Sequence, residues 1–241
     1  MTEGVVAFLD ALGTKGIWAR AKPKEYAQSW EHLITDWRQY CKTALETSGS
    51  NNVSYQFRAF SDTVIITVKL NNKDINTPLV ESDKLLLHAA RLIAPVLITA
   101  IFKGIYLRGV ISAGEFYQSS ELVIGPAVDE TAEWYTNADW IGVSASPSAH
   151  FTIEKLVDVK INVSDWFVKY NIPTKTNSSE KGWAVNWPRL YPYDSTAGMS
   201  LRALILNSFA KRPIAISAAS KFHNTINFFD YVMNPKCNAG E

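Results

Sequence analysis

The sequence predicts an α/β (α+β) protein, a sheet covered by helices with further helices closing the chain. Three observations predict it. Strand-like and helix-like apolar patterns alternate along the first 150 residues. Two strand runs, Val53 to Phe60 and Thr63 to Leu70, are separated by only Ser61-Asp62, which is a hairpin signal. A long apolar segment, Glu81 to Lys103, is long enough for a buried helix.

Taken in order, Val5 to Leu9 form a buried strand that ends on Asp10, and residues 11–16 form a turn with two glycines. Pro23 opens a helix, because a proline at the first position gives up no helical hydrogen bond. Tyr26, Trp30, Leu33, Ile34, Trp37 and Cys41 keep helical spacing along it. Residues 47–52 are rich in Ser, Gly and Asn and read as a loop, and the hairpin follows. Beyond the long helix, Ile105 to Gly114 and Glu121 to Ile124 read as strands. Pro126 to Thr136 read as a helix, Trp140 to Ser144 as a short strand, and Ser146-Pro147 as the start of the next helix. Trp183 to Trp187 is a possible strand, and Asn171 to Gly182 reads as a polar, mobile loop. Residues 199–210 and 214–233 read as closing helices. Residues 1–160 are taken as the core, and residues 161–241 as the C-terminal part of the same domain.

The 241 residues are 47% hydrophobic and carry a net charge of +1. That suits a chain with a real core and argues against bulk nucleic-acid binding. Leu85 to Phe102 contains His88, Arg91 and Pro95, so it reads as a core helix, bent at Pro95, and not a membrane span. Cys41 and Cys237 form no Cys-x-x-Cys pair, and no secretory leader is evident. The expectation is a reducing, cytoplasmic location. His32, His88, His150 and His223 lack the spacing of a zinc site.

Asp10 ends one strand and Asp62 sits at a hairpin tip. If those strands are neighbours, the two carboxylates converge at one sheet edge. Paired oxygen ligands suit hard divalent ions, and two such ions can hold the attacking and leaving oxygens of an in-line displacement. Alternate residues of a strand share a face, so Val6, Phe8 and Asp10 form one set and Gln56, Arg58, Phe60 and Asp62 another. Arg58 is thus expected on the side of Asp62. The same aspartates also fit plain structural roles, as a cap after a strand and as a turn former.

Phe8-Leu9-Asp10-Ala11-Leu12-Gly13 resembles the first metal motif of class III nucleotide cyclases, an apolar strand followed by Asp, two residues and Gly. Phe60-Ser61-Asp62-Thr63 resembles the second, which usually reads Gly-Asp. Residues 108–114, Arg-Gly-Val-Ile-Ser-Ala-Gly, resemble the family's Arg-x-Gly-Ile-x-x-Gly strand. Gly125-Pro126-Ala127-Val128 resembles the strand-to-helix junction that follows it. The motifs occur in family order over about residues 4–150, and within the family the chain is similar to the pyrimidine cyclases of bacterial Pycsar antiphage defence.

The resemblance implies a ferredoxin-type antiparallel sheet and a homodimer with sites at its interface. It implies two Mn2+ or Mg2+ ions per site, and conversion of UTP or CTP to a 3′,5′-cyclic monophosphate and diphosphate. UTP is favoured, and a separate cyclic-nucleotide-sensing effector would read the product. Neither a nucleic-acid partner nor a membrane is expected. Asp10 and Asp62 are the catalytic pair, with Ala11 as a further, main-chain metal ligand. Phe8, Leu12, Gly13, Thr14, Tyr55, Arg58 and Arg108 are the candidate substrate contacts. Backbone N–H groups from Leu12 to Lys15 are candidates to cradle phosphate. Arg58 would read a pyrimidine oxygen, and the ring of Tyr55 would narrow the pocket against purines.

One departure stands out. Purine cyclases carry Asn and Arg four and eight residues after the glycine matched by Gly125, where this chain has Asp129 and Glu133. Acids cannot stabilise a negatively charged transition state, so either another cation serves, such as Arg58, Arg108 or Lys15, or the helix lies differently. Three alternatives remain: a degenerate cyclase domain that only binds a nucleotide, a purine cyclase, and another two-metal enzyme such as a polymerase relative or a diguanylate cyclase. The hairpin here lacks the Gly-Gly-Asp/Glu-Glu-Phe of the last.

Overall fold

The computed structural model describes residues 1–13, 23–47, 52–71, 79–176, 178–190, 200–211 and 214–234. In chain order these form β1 (Thr2–Ala11), α1 (Pro23–Thr47), β2 (Val53–Phe60), β3 (Thr63–Leu70), α2 (Leu79–Asp83), α3 (Leu85–Phe102), β4 (Leu107–Gln118), β5 (Val123–Ile124), α4 (Pro126–Trp134), β6 (Gly142–Ala145), α5 (Pro147–Asp158), β7 (Phe167–Pro173), β8 (Ser179–Val185), α6 (Leu201–Ala210) and α7 (Ile216–Met233). The strands build a sheet in the order β2-β3-β1-β4-β6-β8-β7, with β5 paired to β4 alone. Every pairing is antiparallel except β4–β6.

Side-chain alternation assigns the two faces of the sheet. Val5, Ala7, Leu9, Val64, Ile66, Val68, Leu107 and Ile111 join the main core with Leu33, Trp37 and Cys41 of α1 and the buried residues of α3. The indole N–H of Trp37 donates to the Leu92 carbonyl at 3.0 Å and ties α1 to α3. The other face carries a smaller cluster of Val6, Phe8, Phe116 and Ala127 beneath α4. Val80–Phe102 is long and apolar enough to cross a membrane by length and composition, but 67% of its apolar window is buried inside the fold. Its apolarity therefore serves the core.

The C-terminal elements lock onto the sheet edge where β1 ends. The Tyr106 ring packs against Phe209 and Phe222, with centroids at 5.4 and 5.0 Å, and its hydroxyl donates to the Ser208 carbonyl. The Tyr106 carbonyl in turn accepts the Leu12 N–H at 2.7 Å. α6 and α7 thus hold the backbone on both sides of Asp10 and Arg108.

Several boundaries differ from expectation. The stretch read as a polar loop is a hairpin, with Phe167 to Pro173 paired to Val185 to Ser179. β7 is an edge strand whose polar side chains face water, so it lacks the continuous apolar run that signals a buried strand. The helix expected over Glu81–Lys103 is interrupted at Lys84, between α2 and α3. β5 is only two residues long, because the Ser119 hydroxyl accepts the N–H groups of Glu121 and Leu122 and turns the chain there.

Candidate functional site

Asp10 lies in the last turn of pleat of β1, flanked across the sheet by Thr63 of β3 and Arg108 of β4. The neighbour of β1 is β3, not β2, so the expected adjacency of the Asp10 strand with the Arg58 strand is corrected. Asp62 reaches Asp10 through the turn. Phe60 pairs with Thr63, which leaves Ser61-Asp62 as a two-residue loop, and Ser61 takes a left-handed φ of 55°. The Asp62 carbonyl accepts the Ala11 N–H at 2.9 Å, fastening the tip beside the end of β1.

The Asp10 carboxylate is already engaged. Nε and Nη2 of Arg108 donate to its Oδ2 at 3.3 and 3.1 Å, and the Thr63 hydroxyl stands 3.5 Å from Oδ1. Burial pushes the Asp10 carboxyl above the ordinary aspartate value. Arg108 and Thr63 pull it down, while the charge of Asp62 pushes it further up. A second carboxylate close enough to raise the first would be relieved by a divalent cation, so this donor set fits a hard metal ion. Among the described residues no group of three His, Cys, Asp or Glu could hold a metal. An ion here would therefore rest on the two carboxylates, main-chain oxygens and substrate phosphates. Ala11 is one main-chain candidate, its N–H tied to the Asp62 carbonyl.

Arg58 shares the Asp10 face: it pairs with Ile65, which pairs with Phe8. Its guanidinium donates to the Ser119 carbonyl and to Gln56 Oε1, and Gln118 bridges Gln56 to the Thr67 hydroxyl. Gln56, Thr67 and Gln118 make a polar platform across β2, β3 and β4 that the sequence reading missed. The even spacing of Gln56 and Arg58 was the available signal.

Other expected contacts fall elsewhere. Tyr55 pairs with Val68 on the opposite face, its ring 5.2 Å from Phe57 and its hydroxyl directed at the Arg38 carbonyl of α1. A role for it as a size filter beside Arg58 is thereby corrected. The Phe8 side chain is buried under α4, edge-on to Tyr135 at 6.0 Å, and packs in the smaller cluster. The Leu12 N–H is spent on Tyr106, so it is not a phosphate donor. Gly13 is exposed with φ of 80°, a conformation that favours glycine at the turn after β1. Thr14 and Lys15 lie outside the described residues.

Among solved structures, the chain is similar to the catalytic core of a rhodopsin-guanylyl cyclase with converted specificity, in complex with ATPalphaS. The TM-score is 0.51 at 12% identity, covering 76% of this chain and 95% of that one. It is also similar to the dimeric guanylyl cyclase domain of the RhoGC fusion protein from the aquatic fungus Blastocladiella emersonii, with a TM-score of 0.50 at 12% identity over 77% and 96% of the two chains. The fold is that of the class III nucleotide cyclases. At this identity the likeness is one of fold. No protein-family model and no curated protein sequence matches.

Two glycines of the described residues, Gly125 and Gly142, stand shortly before the helices α4 and α5. Gly125 follows β5, which lies off the main sheet path, and the exposed Asp129 and Glu133 come four and eight residues later. Gly142 opens β6, a strand of the main sheet beside Arg108, and the same count from it reaches Ser146 and His150. Neither count meets an Asn or an Arg. His150 lines a cavity of about 280 Å³ with Trp134, Asn137, Ser144, Phe151 and Lys181 among its walls.

A second set of charges lies along the Arg108 edge. Lys221 of α7 pairs with Asp139 at 2.6 Å, both side chains largely buried. Lys175 stands on the turn after β7. Burial and the charges of Arg108 and Lys221 lower its pKa, opposed by Asp10 and Asp139, so its ammonium is within electrostatic reach of all four. Asp139, Lys175 and Lys221 were not singled out from the sequence. They are 36 and 46 residues apart along the chain, and tertiary structure unites them through the bridge of Ala138 to Thr174, the neighbouring main-chain bonds and the packing of α7.

Proposed function

We propose that this chain is a nucleotide cyclase that converts a pyrimidine nucleoside triphosphate, UTP ahead of CTP, to its 3′,5′-cyclic monophosphate and diphosphate. The observation that carries the reading is the convergence of Asp10 and Asp62 at one sheet edge in a cyclase fold, fastened by the Ala11-to-Asp62 main-chain bond. Asp10 and Asp62, with the Ala11 carbonyl, would hold Mn2+ or Mg2+. Such an ion supplies acidification of the ribose 3′-hydroxyl and neutralisation of phosphate charge. The 3′-oxygen bonds to the α-phosphorus, its proton is released, and the bond to the β-phosphate oxygen breaks, diphosphate leaving with the electron pair.

The cavity bearing His150 contains neither Asp10 nor Asp62. By the resemblance, the working unit is a homodimer in which one copy supplies the acids and the other the base-reading side chain. Arg58 is the proposed reader of a pyrimidine oxygen, its guanidinium aligned by Gln56 and Ser119. The pyrimidine preference, the role in antiviral signalling and the separate effector rest on the resemblance to the Pycsar cyclases.

Purified protein incubated with each of four nucleoside triphosphates and Mn2+ tests this directly. A cyclic pyrimidine monophosphate, identified by mass with equimolar diphosphate, is the expected product. Release of diphosphate from none of the four would sink the enzymatic reading. A binding-only cyclase domain is the second reading, favoured by the lack of an Asn and Arg after either Gly125 or Gly142. Nucleotide binding without turnover would select it.

A further inference from the structure

We propose that the cavity beside His150 is a second ligand site, built for a neutral planar heterocycle, a nucleobase or its nucleoside. The proposal does not rest on the cyclase reading, because neither Asp10 nor Asp62 lines this cavity.

The cavity originates in the sheet. β6 and β8 share a single residue pair, Ser144 with Ala184, and part beyond it. On its other side β8 stays paired with β7, Glu180 opposite Ile172 and Lys181 opposite Asn171. The β6-facing edge of Glu180 to Gly182 therefore has no strand against it among the described residues, and these three residues line the cavity. An open strand edge presents N–H donors and C=O acceptors in a row. A Cβ on Gly182 would come within 3.1 Å of Ile172 Cδ1, which is also in the wall, so glycine keeps that room free.

Side chains add uncommitted polar groups. Ser144 lines the cavity and is only 6% exposed, yet its hydroxyl makes no hydrogen bond to a described residue. Buried hydroxyls without a partner are uncommon. The Asn137 main chain bonds to Trp134 and Lys175, while its side-chain amide makes no bond among the described residues. Two rings complete the wall, Trp134 at the end of α4 and Phe151 of α5, the latter 66% exposed.

Charge, size and shape give the ligand class. Lys181 and Glu180 are neighbours of opposite charge in the wall, and His150 has its own carboxylate, Glu154, at 3.7 Å. The N-terminus of α5 is no anion site either, since the Glu130 carboxylate already accepts the Ser148 N–H at 2.9 Å. Nothing here draws a net charge. A volume of about 280 Å³ lies at the small end of ligand pockets, enough for a base and its sugar but not for an extended peptide. Mixed donors and acceptors beside aromatic rings match a flat ring with polar edges and stackable faces.

The test is a chemical-shift titration of the full chain with uridine, cytidine, adenosine and guanosine, and with free uracil and cytosine. At least one should shift the Lys181 and Gly182 amides and the Trp134 indole N–H, saturating with a Kd below about 1 mM. Phe151→Ala should weaken that binding about tenfold by removing a stacking ring, and Ser144→Val about as much by removing the buried hydroxyl. Phe151 is mostly exposed, so its variant keeps the fold and decides the matter if Ser144→Val does not fold. Asp10→Asn should bind as wild type does. Tighter binding of a nucleoside than of its base makes the nucleoside the occupant, and equal binding makes it the base; both support the site. Absence of shifts with all six compounds, or wild-type affinity in Phe151→Ala, overturns it. Loss of binding in Asp10→Asn puts the ligand at the Asp10 edge and overturns it too. Shifts with inorganic phosphate and with none of the six refute the neutral-ligand assignment. Every one of these outcomes is independent of diphosphate release, which tests the cyclase reading.

Discussion

Arg108 and Asp10 face each other across the β1–β4 pairing, 98 residues apart in the chain, with the guanidinium 3.1 Å from the carboxylate. The pair places a cation where the acids alone would repel one another. It also makes Asp10 the residue on which the charge balance of this edge turns.

Asp10→Asn or Asp62→Asn should lower the rate of diphosphate release at least 100-fold, since an amide holds a divalent ion far more weakly than a carboxylate and stabilises developing charge less well. A steady-state diphosphate assay at saturating Mn2+ checks it. Full activity in either variant would exclude the metal pair.

Ser61 occupies a left-handed backbone position at the hairpin tip, φ 55°, where a side chain is strained. Ser61→Gly should raise stability by about 1 kcal/mol, a gain of roughly 2–4 °C in melting temperature for a chain of this size. Calorimetric melting measures it, and a lower melting temperature would show that the Ser61 side chain offsets the strain.

Tyr55→Ala should leave the ratio of UTP to GTP turnover unchanged, because the ring packs on Phe57 across the sheet from Arg58. It should cost about 2 kcal/mol of stability, as truncation of a half-buried aromatic does. Substrate competition and urea unfolding report the two effects separately.

The Asp139–Lys221 pair should give stability a distinct acid limb. Burial alone would raise the Asp139 carboxyl, but hydrogen bonds from Lys221 and Ser220 and the Lys221 charge hold it below the ordinary value. A carboxyl lowered in the folded state stabilises the fold above its unfolded pKa of roughly 3.9, and that contribution is lost as pH falls through the lower folded value. Lys221→Met should therefore cost about 2 kcal/mol at pH 7, and its difference from wild type should vanish once Asp139 is protonated. Urea unfolding across pH 2–7 tests this; a difference independent of pH would mean that Lys221 acts through packing.

Burial pushes the Cys41 thiol up to about 12. In a Cys237→Ser background the native protein should resist thiol labelling at pH 8 and react only on unfolding. Rapid labelling under native conditions would place α1 away from α3.

Much of the fold was legible because it is encoded locally. The apolar run into Asp10, the hairpin signal around Ser61-Asp62 and the helical spacing from Tyr26 to Cys41 each depend on residues a few positions apart. Polar edge strands were not legible. β7 alternates Lys169 and Asn171 with more buried neighbours, a pattern that a surface loop also shows. The Tyr55 assignment failed for a related reason: nearness in sequence was taken for nearness in space, although Tyr55 and Arg58 differ in parity and so point to opposite faces.

The sequence by itself determined the α/β fold class, the strand end that carries Asp10 and the tip that carries Asp62, because alternation and turn chemistry act within one element. The tertiary structure decided that β3 stands between β1 and β2, that Arg108 holds Asp10, and that Lys221 closes on Asp139. Those relations depend on which strands pair and which helix packs at their edge. They are set by burial of the whole sheet and by charge pairing across as many as 98 residues.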